Sequence, residues 1–170
     1  MDLASCIRDI PDFPKPGIIF KDITPLLKDP GAFSESLDRL AEHAADSGAT
    51  DVVGIEARGF IFGAALAHKL GIGFVPIRKP RKLPYETICE HYSLEYGTDS
   101  IEMHCDALKK GNRVIIMDDL LATGGTMAAA ARLVEKTGAS VARILFVVEL
   151  VFLNGKDKLA GYDVRSLITY

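Results

Sequence analysis

The segment that decides the fold reads Val114-Ile115-Ile116-Met117-Asp118-Asp119-Leu120-Leu121-Ala122-Thr123-Gly124-Gly125-Thr126. It begins as an apolar, β-branched run, passes through two aspartates and a short turn, and ends in Thr-Gly-Gly-Thr ahead of alanine-rich sequence. This order predicts a buried strand, a loop of small residues, and a helix that starts near Met127. Such a loop can offer backbone N–H groups and a helix N-terminus to a phosphate.

The two acids before this loop predict a second kind of contact. Asp118 and Asp119 repel phosphate, but an ionised carboxylate accepts hydrogen bonds, which sugar hydroxyls donate. For both side chains to reach one sugar, the chain must turn at the pair, because neighbours on a strand point to opposite faces. The segment therefore predicts a site for a phosphorylated sugar. The alternative is a plain turn that the acids cap. The chain contains neither a Walker loop nor the dinucleotide-binding glycine pattern.

Composition places the chain among ordinary globular proteins. It has 170 residues, of which 48% are hydrophobic and 25% charged, and we expect a single domain over residues 1–170. A net charge of −3 argues against general binding to nucleic acid or anionic membranes. Residues 1–6 lack the features of a signal peptide, no apolar run approaches the ~20 residues of a membrane helix, and the three cysteines are scattered. These features predict a cytoplasmic protein.

Strands alternate with helices along most of the chain. The pattern predicts strands at 51–55, 74–77, 114–117 and 141–150, and helices at 33–46, 59–70 and 127–137. This alternation predicts an α/β fold with a central, mostly parallel sheet flanked by helices. Ligands bind such sheets beyond the carboxyl ends of the strands. Residues 56–59, 78–79 and 118–126 should therefore share one rim.

The segment 81–103 departs from this alternation. Its period-two pattern around Gly97 predicts a hairpin inserted between sheet strands, and long insertions of this kind often act as lids.

Four cations within five residues follow the 74–77 strand. Arg78, Lys79, Arg81 and Lys82 predict a local anion site on the rim, although most charge runs are solvated surface. Arg58 follows the neighbouring strand and could form a bidentate contact with the same anion, the alternative being a surface salt bridge. Gly59 beside it would admit close approach of a ligand.

Five segments together resemble a known family. The segment 118–126 resembles the phosphoribosyl-pyrophosphate (PRPP) motif of type I phosphoribosyltransferases, and four others resemble the adenine phosphoribosyltransferases within that family. These four are Phe13–Ile23, Glu56–Phe60, Ile77–Lys79 with Lys82–Pro84, and Ser93–Gly97. The match runs nearly end to end, in the expected order and spacing. Lys21 stands where an arginine is common.

The resemblance implies the reaction of adenine with PRPP to give AMP and pyrophosphate. Asp118 and Asp119 would hold the ribose hydroxyls, and Ala122, Thr123, Gly124, Gly125 and Thr126 the 5′-phosphate. Arg78, Lys79 and Lys82 would hold pyrophosphate, together with Arg58, which we count with Glu95 as a catalytic residue. Mg²⁺ is implied as cofactor, bound mainly through substrate oxygens and water rather than by protein ligands.

The resemblance also assigns the purine and proton-transfer residues. Phe20 would lie over the purine, with the backbone of Ile19 and Lys21 at its polar edge, in an N-terminal hood at about residues 10–30. From the residues alone, Phe20 is equally compatible with a core aromatic. Glu95 on the hairpin would transfer a proton at the purine imidazole, and Tyr96 would help close the lid. Without the resemblance, Glu95 is an exposed hairpin acid.

The resemblance further implies a cis peptide bond at Glu56–Ala57 and a homodimer. Two alternative functions stay open: a phosphoribosyltransferase for 6-oxopurines, and a non-catalytic regulator that senses PRPP. A negative net charge and the purine segment near the N-terminus disfavour the regulator.

Overall fold

The computed structural model of the chain describes residues 1–94 and 96–170. The chain divides into two compact units, residues 1–39 and 40–170, and each is described by itself. The single domain and the N-terminal hood stay predictions.

A two-stranded antiparallel sheet lies at the centre of the first unit. Its strands are β1 (Arg8–Pro11) and β2 (Ile19–Asp22), which pair from Arg8 opposite Asp22 to Pro11 opposite Ile19. A 3-10 turn at Leu3–Cys6 precedes the sheet, and the short helix α1 (Thr24–Lys28) follows it. The next helix, α2 (Pro30–Ala44), begins three residues before the predicted start.

Five parallel strands form the sheet of the second unit, in the order β4-β3-β7-β8-β9. Their bounds are β3 (Asp51–Ile55), β4 (Gly73–Ile77), β7 (Arg113–Leu121), β8 (Ser140–Glu149) and β9 (Val164–Thr169). The predicted central, mostly parallel sheet is confirmed. The edge strand β9 was not predicted, because most of its residues are only partly buried and its sequence lacks a continuous apolar run.

Helices cover both faces of this sheet. The helix α3 (Arg58–Leu70) packs on β3 and β7, and α4 (Gly125–Lys136) packs on β7 and β8. Val53 and Ile116 share a buried cluster with Ala130 of α4, whereas Val52 points toward Gly63 of α3. This alternation follows from the period of two along a strand. None of the helices in the described part of the chain is long and apolar enough to cross a membrane.

The predicted hairpin is confirmed, with strands β5 (Thr87–Ser93) and β6 (Thr98–His104). It is joined to the end of β4 by two backbone hydrogen bonds between Arg78 and Glu102, with N···O distances of 2.9 and 2.8 Å. Its action as a lid stays a prediction.

The predicted turn at the acid pair is wrong. β7 does not end at Met117 but continues through Asp118 and Asp119 to Leu121. The reason is the neighbouring strand, since Asp118 lies opposite Phe146, and Leu121 opposite Glu149. Backbone pairing with β8 therefore keeps the acids in an extended conformation.

A buried arginine ties together the end of α2, β8 and the loop before β9. The side chain of Arg143 is 7% exposed and forms ion pairs at 2.7 Å with both Asp46 and Asp163. It also donates a hydrogen bond to the backbone carbonyl of His43, near the C-terminus of α2. The hydrogen bond from Arg143 lowers the pKa of Asp46, and hydrogen bonds from Arg165 and Arg143 lower the pKa of Asp163.

These lowered pKa values predict how the contribution of Arg143 depends on pH. Because both carboxyls have folded-state pKa values below the usual 3.8, the stabilisation is complete above that value and is lost as pH falls through the folded-state values. Arg143→Met should therefore lower Tm clearly at neutral pH and much less once the pH falls below the folded-state pKa values of the two carboxyls. Thermal unfolding of both proteins across this range measures the difference, and a constant difference would contradict the ion-pair explanation.

Candidate active site

The acid pair at the end of β7 is held by its neighbours. Asp118 Oδ1 accepts a hydrogen bond from the backbone N–H of Asp119 at 2.9 Å. Asp119 is 3% exposed, and its Oδ2 lies 2.8 Å from Nε of Arg58 at the start of α3. The arginine predicted to reach a phosphate thus also contacts the acid pair.

Burial dominates the electrostatics of this pair. It raises the pKa of Asp118 well above the usual value, and the neighbouring carboxylate of Asp119 raises it further. Burial also raises the pKa of Asp119, while the positive charge of Arg58 opposes that change. Hydroxyl donors or a nearby cation would therefore stabilise the ionised pair strongly.

Close packing of α3 on β7 fixes the position of Asp118. A Cβ on Gly59 would lie 2.9 Å from both Asp118 Oδ1 and the backbone oxygen of Met117. We expected that Gly59, having no side chain, would allow a ligand to approach closely. In this structure the space beside Gly59 is occupied by the Asp118 side chain.

The loop after the acids forms a pocket at the N-terminus of α4. Gly124 has a left-handed backbone (φ 84°), and α4 begins at the next residue. The pocket is lined by Asp118, Phe146 and the loop residues, including Ala122, Thr123, Gly124, Gly125 and Thr126. Backbone N–H groups at a helix N-terminus favour an anion. The predicted juxtaposition of acids and small-residue loop is therefore present.

A glycine that we did not predict supports this loop from behind. Gly155 is buried in the 3-10 turn Gly155–Leu159, and a Cβ there would collide with the backbone oxygen of Ala122 and lie 2.9 Å from Leu121 Cδ1. A Cβ on Gly124 would in turn collide with the backbone oxygen of Gly155. The dipeptide Asn154-Gly155 signals a turn, but the sequence does not show what the turn touches.

The cations after β4 gather around Glu56. This carboxylate accepts hydrogen bonds from Arg78 Nη2 and from the backbone N–H of Lys79, both at 2.8 Å. The hydrogen bond from Arg78 is the main reason that the pKa of Glu56 is lowered. The Glu56–Ala57 peptide bond is cis, as the resemblance implied. Arg78 also donates from Nη1 to the backbone oxygen of the exposed Lys82, at 3.4 Å.

The two halves of the predicted rim meet. One pocket is lined by Glu56, Arg78 and Lys79 from one side and by Asp118 and Thr126 from the other. Residues separated by up to seventy positions thus lie together at the carboxyl ends of neighbouring parallel strands.

The hairpin contributes side chains to this rim. Tyr92, which is 7% exposed, donates from Oη to Asp99 Oδ2 at 3.1 Å and accepts a hydrogen bond from Lys79 Nζ at 2.8 Å. Lys79 also pairs with Asp99. The exposed Lys158 lines a groove with Tyr92 and Gly125. We had assigned no role to Tyr92, Asp99 or Lys158, because no local pattern links them to the rim.

The remaining predicted site residues that the structure describes lie in the first unit, apart from Tyr96 in the hairpin turn. Phe20 packs edge-to-face on Phe13 with ring centroids 5.2 Å apart, and Ile19 is 55% exposed. Lys21 Nζ forms an ion pair with Asp9 at 2.6 Å. Tyr96 is 85% exposed, and Glu95 lies outside the described residues.

A phosphoribosyltransferase is the class of protein that this sheet and site define. The family model "Phosphoribosyl transferase domain" matches residues 27–166, so the chain belongs to that family. Within it, the chain belongs to the adenine phosphoribosyltransferases. Relatives of that name from Kosmotoga olearia and Thermotoga neapolitana are 60% and 57% identical to it, with 100% of each chain covered.

Solved structures give the same assignment. The adenine phosphoribosyltransferase of Thermoanaerobacter pseudethanolicus matches with a TM-score of 0.97 and 56% identity, covering 99% of this chain and 98% of that one. The Saccharomyces cerevisiae enzyme, solved with adenine and an imino-altritol bisphosphate, matches with a TM-score of 0.92 and 42% identity, covering 98% and 96%.

The contact between Gly155 and the loop predicts a selective loss of stability. Gly155→Ala should lower the free energy of unfolding by about 1–3 kcal/mol, because the added methyl group collides with rigid backbone. Gly125→Ala is the matched control, since a Cβ there meets nothing closer than 3.9 Å. Urea unfolding of both variants measures the difference, and equal stability would show that the loop adjusts freely.

Proposed function

We propose that the protein transfers the 5-phosphoribosyl group of PRPP to N9 of adenine, giving AMP and pyrophosphate for purine salvage. The observation that carries this proposal is the shared rim, where the Asp118-Asp119 pair lies between a phosphate-type loop and a group of cations. The names of the full-length relatives support the choice of adenine.

The acid pair and the loop hold the ribose 5-phosphate end of PRPP in this proposal. Asp118 lines both pockets and accepts a ribose hydroxyl, while Asp119 accepts another and keeps Arg58 in place. The backbone of residues 122–126 binds the 5′-phosphate, helped by the hydroxyls of Thr123 and Thr126.

Pyrophosphate leaves toward the cations of the rim. Arg78, Lys79 and Lys82 follow β4, and Arg58 lies at the end of the neighbouring strand β3. Their positive charge stabilises the charge that develops on the leaving group as the C1′–O bond breaks. The transition state resembles a ribosyl oxocarbenium ion, so rate acceleration comes mostly from positioning and electrostatics.

Mg²⁺ is the cofactor in this proposal, held mainly through substrate oxygens and water. In the described part of the chain, no group of three or more His, Cys, Asp or Glu side chains could hold a metal ion. Hard oxygens of pyrophosphate and ribose, with water, are the ligands that Mg²⁺ prefers, and a nearby cation would favour the ionised form of the Asp118 carboxyl, whose pKa burial raises. When bound, Mg²⁺ neutralises the leaving group.

Adenine is recognised in this proposal by the strand β2. Phe20 covers the purine, and the backbone N–H and C=O groups of Ile19 and Lys21 pair with its N1/N6 edge. A 6-oxopurine presents the reversed pattern of donor and acceptor. The Lys21 side chain is engaged with Asp9, which is consistent with a contact made by backbone.

Glu95 transfers the proton at the purine imidazole, and Tyr96 closes over the bound substrates. We also propose a homodimer. The cytoplasmic location stays a prediction.

The choice of base is the first test. Pyrophosphate release from PRPP should be seen with adenine and be at least ~100-fold slower with hypoxanthine, guanine or xanthine, because the reversed edge sets donor against donor and acceptor against acceptor at the backbone of Ile19 and Lys21. A parallel assay with the four bases measures this. Turnover with hypoxanthine would favour the 6-oxopurine alternative, and no turnover with any base would favour the regulator.

The role of Glu95 is tested by separating catalysis from binding. Glu95→Ala should lower kcat by roughly 10²–10⁴-fold while changing the affinity for PRPP little, since proton transfer matters only in the transition state. Steady-state kinetics and PRPP titration measure the two effects. Equal losses in both would remove Glu95 from catalysis.

A further inference from the structure

We propose that Asp99 on the hairpin is a positioning residue that competes with pyrophosphate for the ammonium group of Lys79. This inference rests on the proposed function, in which Lys79 is one of the cations that bind pyrophosphate. The hairpin would thus affect pyrophosphate affinity through Asp99, independently of Glu95 and Tyr96.

The Lys79 ammonium is already engaged by the hairpin. It pairs with Asp99 Oδ2 and donates to Tyr92 Oη at 2.8 Å. An ammonium group has three N–H donors, so these two partners leave one for a ligand. Nζ also lies 5.5 Å from the centre of the Tyr92 ring, which further favours its positive charge at this position.

Asp99 is itself held in place. Its Oδ1 accepts the backbone N–H of Ser100 at 2.8 Å, and its Oδ2 accepts the hydroxyl of the buried Tyr92 at 3.1 Å. The hydrogen bond from Lys79 is the largest of the effects that lower the pKa of Asp99. Asp99 therefore carries a negative charge at neutral pH, in a fixed position.

The negative charge of Asp99 lies beside the rim pocket, because Asp99 pairs with Lys79, which lines that pocket. Lys79 lines the rim pocket together with Arg78 and Asp118. The hairpin cannot move far from this rim without breaking the backbone hydrogen bonds between Arg78 and Glu102. An arriving pyrophosphate must therefore share Lys79 with a carboxylate that repels it.

Removing the Asp99 charge should strengthen pyrophosphate binding. Releasing the Lys79 ammonium from a partly solvated ion pair, so that pyrophosphate no longer shares it with Asp99, is worth roughly tenfold in affinity. If Asp99 only held the hairpin together, its loss would loosen the site and weaken binding. The two roles therefore predict opposite changes in pyrophosphate affinity when the Asp99 charge is removed.

The test is calorimetric titration of the full chain with inorganic pyrophosphate in the presence of Mg²⁺. Asp99→Asn keeps the size of the side chain and should bind pyrophosphate about tenfold more tightly than the wild type. Because product would leave more slowly, kcat should fall wherever product release limits turnover. Unchanged or weaker pyrophosphate binding would overturn the inference.

Glu90→Gln is the matched control on the same hairpin. Glu90 forms ion pairs with Arg132 at 2.8 Å and Lys136 at 2.5 Å, both on α4, whereas Lys79 pairs with Asp99. Its loss loosens the hairpin and removes one negative charge without touching the rim, so pyrophosphate affinity should not rise. An equal rise in both variants would mean that loosening is the cause, and would overturn the inference.

A double-mutant cycle identifies Lys79 as the intermediary. In a Lys79→Met background, Asp99→Asn should change pyrophosphate affinity by less than about threefold, because the group for which the two anions compete is gone. A full tenfold effect there would overturn the inference. If Lys79→Met binds pyrophosphate like the wild type while adenine is still converted to AMP, the inference fails and the proposed function stands.

Discussion

The strand β7 is the constraint on which the rest of the structure depends. It pairs with β3 on one side and with β8 on the other, and its residues Val114 to Met117 are fully buried. Because both edges are hydrogen-bonded, its direction and register are fixed, and so are the positions of Asp118 and Asp119 near its carboxyl end. The loop at 122–126 follows immediately, so the acid pair and the loop that we propose bind sugar and phosphate are brought side by side by chain connectivity alone.

Placing two carboxylates at the end of a buried strand costs free energy, and the structure offsets that cost locally. Burial raises both pKa values, and the Asp119 side chain lies against the cation of Arg58. That contact requires α3 to start close to β7, which Gly59 allows because it has no Cβ to strike Asp118. The same helix start brings Arg58 to the rim. The close packing of the start of α3 on β7 therefore stabilises the two acids and also places the Arg58 cation at the rim.

The sequence predicted the parts of this molecule that depend on local pattern. The strand at Asp51–Ile55 was predicted to the residue, and α3 and α4 to within two residues at each end, because apolar periodicity and glycine stops are local signals. The sequence did not predict the features that depend on contacts between residues distant in the chain. β8 keeps Asp118 and Asp119 extended, against the expected turn, and no pattern indicated that Gly155 would support the loop, or that Asp99 would pair with Lys79.

Three cations of the rim share one arrangement: each is paired with a carboxylate of its own chain. Arg58 pairs with Asp119, Arg78 with Glu56, and Lys79 with Asp99. These pairs fix long side chains whose ordering would otherwise oppose binding. They also reduce the positive charge that an arriving anion meets. A weakly charged anion gains little from displacing or sharing such partners, whereas pyrophosphate has enough negative charge to do so. In the proposed function, the paired acids therefore favour a highly charged leaving group over simpler phosphates.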